Sequence, residues 1–467
     1  MLKEIIKYAK EYGFIYPSSE IYNGLQSVYD YGPNGIELKN NLKKLWWKDM
    51  VQMYKNIVGI DSSILLNPET WKASGHIENF HDIMIDNKDS KKRYRLDEIL
   101  ENHIKKKVDE NEKKNLLKKT NTLIEENKLD ELYDIIIKEE IKCPVSRTNN
   151  WTKVKEFNLM FSTNFSSSDK LSKVYLRPET AQGIFLNFSN VTKTTGIKLP
   201  FGIAQIGKVF RNEIIARQFI FRMKEFEQME MQFFIKPGNE KKWFNYWKLI
   251  RFKWYSSIGI KNNCLKIHKH SKTSHYCNSA VDIEYKFPFG YKEIEGIHSR
   301  TDFDLKNHQI FSKKKLEYFD YKISKSYIPY VVETSLGCDR LFLMILCNAF
   351  IKENSDKKNS RIYLKLNFSL SPIKFAILPL IKNKDIIKIS KSIFNNLKSK
   401  FKITYEENKS IGRRYKKQDL IGTPYCITVD YQTIIDNTIT LRDRDTTNQI
   451  RININNFNSF LSKFIFS

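Results

Sequence analysis

Two short segments carry residue types that could do chemistry together. The first is Phe210-Arg211-Asn212-Glu213, followed after a loop by Arg222-Met-Lys-Glu-Phe226 and then Glu227-Gln-Met-Glu230. It reads as strand, loop and returning strand with charges at period 2. Side chains alternate across a strand, so Arg211 and Glu213 are expected on one face, and Phe226, Gln228 and Glu230 on one face of the return. A cation, an aromatic plate and carboxylates on one surface suit a nucleotide. The ring stacks, the arginine holds phosphate or carboxylate, and the acids take ammonium groups. The bland reading is a solvated sheet face with ordinary cross-strand ion pairs.

The second segment is Glu333-Thr-Ser-Leu-Gly-Cys-Asp-Arg340, which runs into the apolar stretch Leu341–Leu346. Gly337 permits a tight strand-to-helix turn. Arg340 then falls in the first helical turn, where it adds to the positive helix end and can grip phosphate.

These segments need elements to position them. Leu38, Leu42, Leu45, Trp46, Met50 and Met53 mark an amphipathic helix over 34–54, entered through the turn Gly32-Pro33-Asn34-Gly35. Its apolar stripe is wide enough to predict a second subunit against it. Val58–Leu66 reads as a strand stopped by Asn67-Pro68. Residues 86–150 are charged, low in complexity and helical in pattern, an inserted subdomain. From 157 to 345 strand-like stretches (FNLMF, KVYLRP, PFGIAQIGKVFRNE, FEQMEMQFFI, VDIEYKFPF, YVVETSLG) predict one large antiparallel sheet, with a helix over 241–260. After about residue 360, strands at 375–380, 402–406, 425–429 and 438–442 alternate with helical stretches, a small α/β unit.

Composition excludes several classes. The 467 residues carry 79 Lys+Arg against 53 Asp+Glu, a formal charge of +26 that suggests a polyanionic partner such as nucleic acid. Lys, Ile and Asn also have A/T-rich codons, so base-composition drift explains part of that excess. No apolar run reaches the length of a membrane span, and the first residues show no apolar leader. Six scattered cysteines without a CxxC pair predict a reduced, cytoplasmic protein.

Taken in order, the segments resemble the three motifs of class II aminoacyl-tRNA synthetases: helix, strand and Pro68 the first, FRxE, loop and RxxxF the second, Gly-x-Asp-Arg before an apolar helix the third. Tyr22-Asn-Gly-Leu25, Tyr31-Gly-Pro33, Ala73-Ser-Gly-His76, Arg177-Pro-Glu-Thr-Ala-Gln-Gly183, Phe201–Gly207, Phe226–Glu230, Arg300-Thr-Asp-Phe-Asp304 and Ile421-Gly-Thr-Pro424 narrow this to the homodimeric glycyl-tRNA synthetases. The resemblance implies an α+β fold: an antiparallel-sheet catalytic core with a helical insertion, and a small C-terminal α/β anticodon-binding domain. The expected division is 1–85 (core with the dimer motif), 86–150 (insertion), 151–360 (core) and 370–467 (anticodon domain).

It further implies glycine, ATP with Mg²⁺ and tRNA(Gly) as reactants, in a homodimer with no membrane association. Arg211, Glu213 and Arg340 become the catalytic set, with Arg211 on the α-phosphate and the glycine carboxylate. Phe226 would stack on adenine, with Arg340 on its other face or on the γ-phosphate. Glu213 and Arg222 would hold adenine and the phosphate tail. Asn212, Phe221, Gly337 and Asp339 also fall in the ATP site, and Glu293-Ile294 at the position that supports ATP through Mg²⁺. Glu179, Glu230 and Glu333 would surround the ammonium, with Ser335 against Cα. Phe226, Gln228 and Arg300 join that pocket, and Arg95 is a more distant member. Glycine has no side chain to grip, so recognition rests on charge and exclusion. In the C-terminal domain, Arg413, Arg414, Lys416, Lys417, Arg442 and Arg444 are the expected RNA-facing residues.

The chain departs from its relatives in the insertion. Two CxxC pairs that would suit zinc are replaced by Asn87-Lys-Asp-Ser90 and Cys143-Pro-Val-Ser146, so no structural zinc is expected. His268, His270, His275 and Cys277 read as a polar helix end and not as a metal site. The competing readings are a non-catalytic nucleic-acid-binding relative, such as a polymerase accessory subunit, and a class II enzyme for serine, threonine or proline. Retention of Arg211, Glu213, Arg340 and three glutamates opposes the first, and the acidic pocket opposes the second.

Overall fold

The computed structural model describes residues 1–460 apart from 108, 168–169, 215–217, 271–276, 354–360 and 458. Seven strands build the central sheet: β1 (Ile57–Gly59), β2 (Phe201–Phe210), β3 (Glu225–Ile235), β4 (Leu265–Lys269), β5 (Ser279–Phe287), β6 (Gly290–Thr301) and β7 (Tyr330–Gly337). Their spatial order is β4–β5–β6–β7–β3–β2–β1, antiparallel except where β1 joins β2. Two expected strands lie elsewhere. Lys155–Asn158 pairs with His81–Asn87, and Lys170–Tyr175 forms a hairpin with Ser162–Ser167. The first of the large sheet's strands is also short: β1 stops at Gly59, and Asn67 instead caps a helix, its side chain accepting from the Glu69 amide at 2.9 Å.

The period of two sorts this sheet into faces. Met229, Met231, Phe233, Ile283, Ile297, Val332 and Leu336 point one way and are buried. Helices α1 (Pro33–Trp47), α2 (Glu240–Ser257) and α3 (Cys338–Ala349) cover them in one continuous core. The opposite face carries Gln228, Glu230, Gln232, Glu333, Ser335, His298 and Asp282. Register brings these into rows: Glu230 faces Ser335, Gln232 faces Glu333, and His298 faces Glu333 from the other side.

α1 reaches the core through a close approach at Gly35, where any Cβ would lie 1.9 Å from the Phe14 carbonyl oxygen. Its stripe does not wait for a second subunit. Leu38, Leu42, Trp46 and Met50 are fully covered by the chain's own core, so the width of the stripe is an intramolecular requirement. Met53 stays exposed. The helix is fastened by charge as well. Lys39, 5% exposed, places its ammonium 2.8 Å from Asp339 and 2.7 Å from Glu227. The Glu227 amide donates to Asp339 at 2.7 Å, and the Tyr31 hydroxyl donates to the same carboxylate.

Residues 86–150 are not helical alone. Helices Leu96–Ile104, Glu110–Glu125 and Leu129–Lys138 rest on a three-stranded sheet of Lys92–Arg95, His81–Asn87 and Lys155–Asn158. Asn87, Ser90, Cys143 and Ser146 do meet there. Ser146 donates to Asn87 at 2.9 Å, and the Cys143 sulfur lies 3.4 Å from Ser90 Oγ and 3.2 Å from the Tyr94 hydroxyl.

The C-terminal unit has its own sheet and core. Strands β8 (Phe375–Pro379), β9 (Ile403–Tyr405), β10 (Tyr425–Val429), β11 (Thr438–Asp443) and β12 (Gln449–Asn453) lie in the order β9–β8–β10–β11–β12. The β8–β9 and β8–β10 pairs are parallel, as the intervening helices α4 (Lys384–Leu397) and α5 (Ile411–Ile421) require. Phe375, Ile377, Ile386, Ile427 and Ile439 fill its centre. No helix of the described residues is long and apolar enough to cross a membrane.

Removing the Lys39 ammonium would take from the buried Asp339 carboxylate the cation paired with it and leave Glu227 to Lys43 alone. Lys39→Met is expected to lower the unfolding free energy by about 3 kcal/mol or more. Lys10→Met, at an exposed pair with Glu20, should cost less than about 1 kcal/mol. Urea denaturation of the two variants side by side checks this contrast.

Candidate active site

The polar face of the sheet forms the floor of a cavity of about 340 Å³. Fifteen of the residues expected there line it: Arg211, Glu213, Phe221, Arg222, Phe226, Glu293, Gly337, Asp339 and Arg340 toward one end, and Glu179, Gln228, Glu230, Arg300, Glu333 and Ser335 toward the other. The strand ends at Phe210, so Arg211 and Glu213 enter from the loop, and alternation along β2 does not place them. The Arg211 amide donates to the Lys224 carbonyl at 2.9 Å, which closes the loop back onto the start of β3.

At the Arg211 and Arg340 end the arginines are held by neighbouring groups. Arg211 donates to the Pro178 carbonyl at 3.0 Å, with its guanidinium 5.4 Å from both the Phe80 and Phe226 rings. Arg340 pairs with Glu293 at 2.9 Å and lies 4.6 Å over Phe221. Burial would raise the Glu293 carboxyl, but Arg340 beside it holds it below its ordinary value. Arg222 stands 3.7 Å from Glu213.

The other end concentrates acid. Arg300 grips Asp304 with two bonds of 2.8 and 2.9 Å and donates to Glu333 at 2.8 Å. Glu333 also meets His298 Nδ1 at 2.7 Å and accepts from Gln232 at 2.9 Å. Burial works against its charge, yet Arg300 and His298 hold the carboxyl down at about 2. Glu179 accepts from Gln182 at 2.9 Å and lies 3.4 Å from His76, and it too is kept well below the usual range against burial. Glu230 differs. It is 2% exposed and its partners are the neutral Thr180 hydroxyl and Gln232 amide. Burial first, and then Glu333 and Glu179, push its carboxyl well above the ordinary value. Within this carboxylate cluster Glu230 is the member held by neutral donors. Gln228 donates to Ser335 Oγ at 3.4 Å, setting that hydroxyl between the charged groups.

Three expected residues stand outside the cavity lining. Arg95 is occupied by Asp82 at 3.0 Å and Asp97 at 2.8 Å. Asn212 donates its amide to the Leu159 carbonyl at 2.7 Å, a backbone role. The Ile294 side chain is 1% exposed and belongs to the apolar core. Conversely Ile220, Met223, His270, Asp282, Gly296 and His298 line the cavity without having been singled out for it. For β6 the signal was present, since Gly296, His298 and Arg300 alternate, but the strand itself went unrecognised. His268 and His270 flank the end of strand β4, not a helix end, and His270 pairs with Asp282 at 2.8 Å. His275 lies outside the described residues.

Comparison with known proteins agrees with this geometry. Residues 161–349 match the tRNA synthetase class II core domain (G, H, P, S and T), residues 374–464 the anticodon binding domain, and residues 82–119 and 107–159 the glycyl-tRNA synthetase insertion domain 1. A glycine–tRNA ligase of Chlorobaculum tepidum is 49% identical over 99% of each chain. That of Macrococcus caseolyticus is 47% identical over 99% of this chain and 98% of its own. The chain belongs to the glycine–tRNA ligase family. A solved Giardia lamblia prolyl-tRNA synthetase in complex with prolyl-adenylate shares the fold, with a TM-score of 0.62 and 15% identity, covering 97% of this chain and 75% of that one.

The ligase's C-terminal arginines need correction. Arg413, Lys416 and Lys417 lie on the exposed side of α5, but Arg414, Arg442 and Arg444 are buried at 2%, 7% and 3% exposure. Arg414 donates to the carbonyls of Pro379 and Glu406 at 2.7 and 3.0 Å. Arg442 makes a two-bonded pair with Asp419 at 2.8 and 3.0 Å, and Arg444 donates to the Gly422 and Leu366 carbonyls at 2.8 Å each. Sequence treats a run of basic residues as one surface. On a helix of 3.6 residues per turn, Arg414 faces inward while its neighbours face out.

Two outcomes follow from these placements. Arg414→Ala leaves buried carbonyls without donors and should destabilise by about 2 kcal/mol. The Arg413→Ala, Lys416→Ala, Lys417→Ala triple variant should cost about 0.5 kcal/mol or less per site, seen in thermal unfolding. Glu230 binds its proton more tightly folded than unfolded, so it costs stability as pH rises above the ordinary carboxylate range. Glu230→Gln is expected to raise the thermal midpoint at neutral pH, while weakening glycine binding by about tenfold or more in calorimetry.

Proposed function

We propose that this chain is a glycine–tRNA ligase whose cavity joins glycine to ATP and then passes the glycyl group to tRNA(Gly). The observation that carries this reading is the acidic end of the cavity. The buried Glu230 and Glu333 and the partly buried Glu179 line the same cavity as Arg211, a surface that suits a short ammonium-bearing substrate. Ser335 and the strand backbone close the position where a methyl group would project.

In the first step a glycine carboxylate oxygen attacks the α-phosphorus of ATP, and the bond to pyrophosphate breaks. Two anions must approach, so Arg211 neutralises charge that builds between them, and its stacking on Phe80 and Phe226 fixes its aim beforehand. Phe226 and Arg340 bracket the adenine, and Arg222 with Glu213 attends the phosphates and base. In the second step a hydroxyl of the terminal tRNA ribose attacks the glycyl carbonyl and AMP leaves. Mg²⁺ fits this site because it is commonly held by one or two carboxylates together with substrate phosphates. Glu293 would hold it, and the ion would offset charge on the leaving pyrophosphate. The exposed cations Arg413, Lys416 and Lys417 are assigned to tRNA, where phosphate contacts would make charging salt-dependent.

The same reading takes the working enzyme as a cytoplasmic homodimer. Its support is the resemblance of the first motif, since the apolar stripe of α1 is already used within the chain. A non-catalytic role is disfavoured by the survival of the whole set Arg211, Glu213, Phe226 and Arg340 in one cavity.

ATP–pyrophosphate exchange with a panel of amino acids tests the proposal. Exchange should depend on glycine and be at least about tenfold weaker with alanine or serine. Arg211→Ala should reduce it by about 10²-fold or more with unchanged thermal unfolding. Near-normal exchange in that variant, or a preference for another amino acid, would refute the assignment.

A further inference from the structure

The mechanism above makes no use of His298, yet this side chain sits on the floor of the cavity and touches the carboxylate cluster. β6 places it opposite Glu333 of β7 in the sheet register, and its Nδ1 lies 2.7 Å from Glu333 Oε1. The other Glu333 oxygen is held by Arg300 and Gln232 at 2.8 and 2.9 Å. Room for the ring comes from Gly296. A Cβ there would lie 2.8 Å from His298 Cε1, so any side chain at 296 would displace the imidazole. Resting on the ligase reading, we infer that His298 is a positioning residue: it turns Glu333 toward the glycine ammonium, and its protonation sets how glycine binding varies with pH.

The charges around the imidazole make this work. Among the described residues, Glu333 faces it from β7, Asp282 from β5 with His270 paired behind it, and Arg300 and Glu293 from its own strand. A neutral imidazole donates one hydrogen bond to Glu333 and leaves the negative charge of the cluster for the substrate. A protonated one gives Glu333 a second full cation beside Arg300. It then competes with the incoming ammonium and repels it. The carboxylates raise the imidazole's affinity for its proton above the ordinary value despite burial, Glu333 foremost. Binding and proton release are linked reciprocally, so glycine should in turn make His298 easier to deprotonate. Arg211 and the adenine-facing groups lie at the other end of the cavity, so neither ATP binding nor the chemical step should feel the switch strongly.

The test measures KM for glycine, KM for ATP and kcat by ATP–pyrophosphate exchange from pH 6 to 8.5 in the wild type, His298→Asn and His298→Ala. The wild-type KM for glycine is expected to rise about three- to tenfold as pH falls, roughly the effect of one nearby charge on an ionised group. Asparagine keeps a donor toward Glu333 without titrating, so His298→Asn should flatten that rise while keeping the KM found above neutrality. His298→Ala should be flat but several-fold higher throughout, because Glu333 loses its orienting bond. The KM for ATP should not change in either variant. NMR titration of the wild-type imidazole should shift to lower pH when glycine is added. A His298→Asn profile as steep as the wild type's, a fall in kcat matching the rise in KM, or an imidazole titration indifferent to glycine would overturn the inference. If the asparagine variant does not fold, His298→Gln and the wild-type NMR titration decide. A wild type with no glycine-dependent exchange would defeat the ligase reading itself, whereas exchange with an unaltered slope defeats only the role of His298.

Discussion

Burying several carboxylates close together is the constraint from which most of this structure follows. Left alone, Glu179, Glu230, Glu333 and Asp304 would repel one another and seek water. Each is instead supplied with donors that the fold delivers from different elements. Arg300 on β6 serves both Asp304 and Glu333, His76 approaches Glu179, and Thr180 and Gln232 serve Glu230. The supply is uneven: Glu230 has only neutral donors, and burial together with Glu333 and Glu179 raises its carboxyl pKa. In the proposed reading the substrate's ammonium enters beside Glu230, where charged groups interact far more strongly than in water, and exclusion of a methyl group at Ser335, not charge, separates glycine from larger amino acids.

Holding such a cluster still requires a rigid platform. The opposite face of the sheet is mainly apolar and packed under α1, α2 and α3, with one carboxylate, Glu295, paired to Arg251 of α2 at 2.6 Å, so the strands cannot slip by one residue without turning the whole carboxylate cluster into the core. The Lys39–Asp339–Glu227 network adds a polar fastening between α1, the start of α3 and β3. Asp339 therefore belongs to the floor of the cavity but acts mainly as the anchor that fixes where Arg340 begins its helix. The motif that opens the chain and the motif that closes the core are thereby joined through one buried ion pair.

The C-terminal unit uses charge differently. Asp419 receives Arg442 and Arg361, while Arg414 and Arg444 donate to main-chain carbonyls at its seams. Arginine suits this work because its planar fork satisfies several acceptors at once and stays charged when buried. Part of the chain's large positive charge is therefore internal structure, and the cations available to an RNA are fewer than composition suggests.

The sequence by itself determined which chemistry this chain could perform. Phe226, Glu230, Glu333 and Arg340 are legible because strand alternation and a glycine turn before a helix are local signals, Arg211, Glu213 and Arg222 because they stand at motif spacings around a loop, and the class of fold follows from the order of these segments. Tertiary structure decided the partnerships. His298, Asp282 and His270 reach the cavity only because β4 pairs with β5, β5 with β6 and β6 with β7 in one register, and no local pattern encodes a cross-strand neighbour. It likewise decided that Arg95 is spent on Asp82 and Asp97, that Ile294 is core, and that the stripe of α1 is covered from within. Alternation tells a residue which face it takes, but what it meets there is fixed by other segments, 35 residues away for His298 and Glu333 and 300 for Lys39 and Asp339.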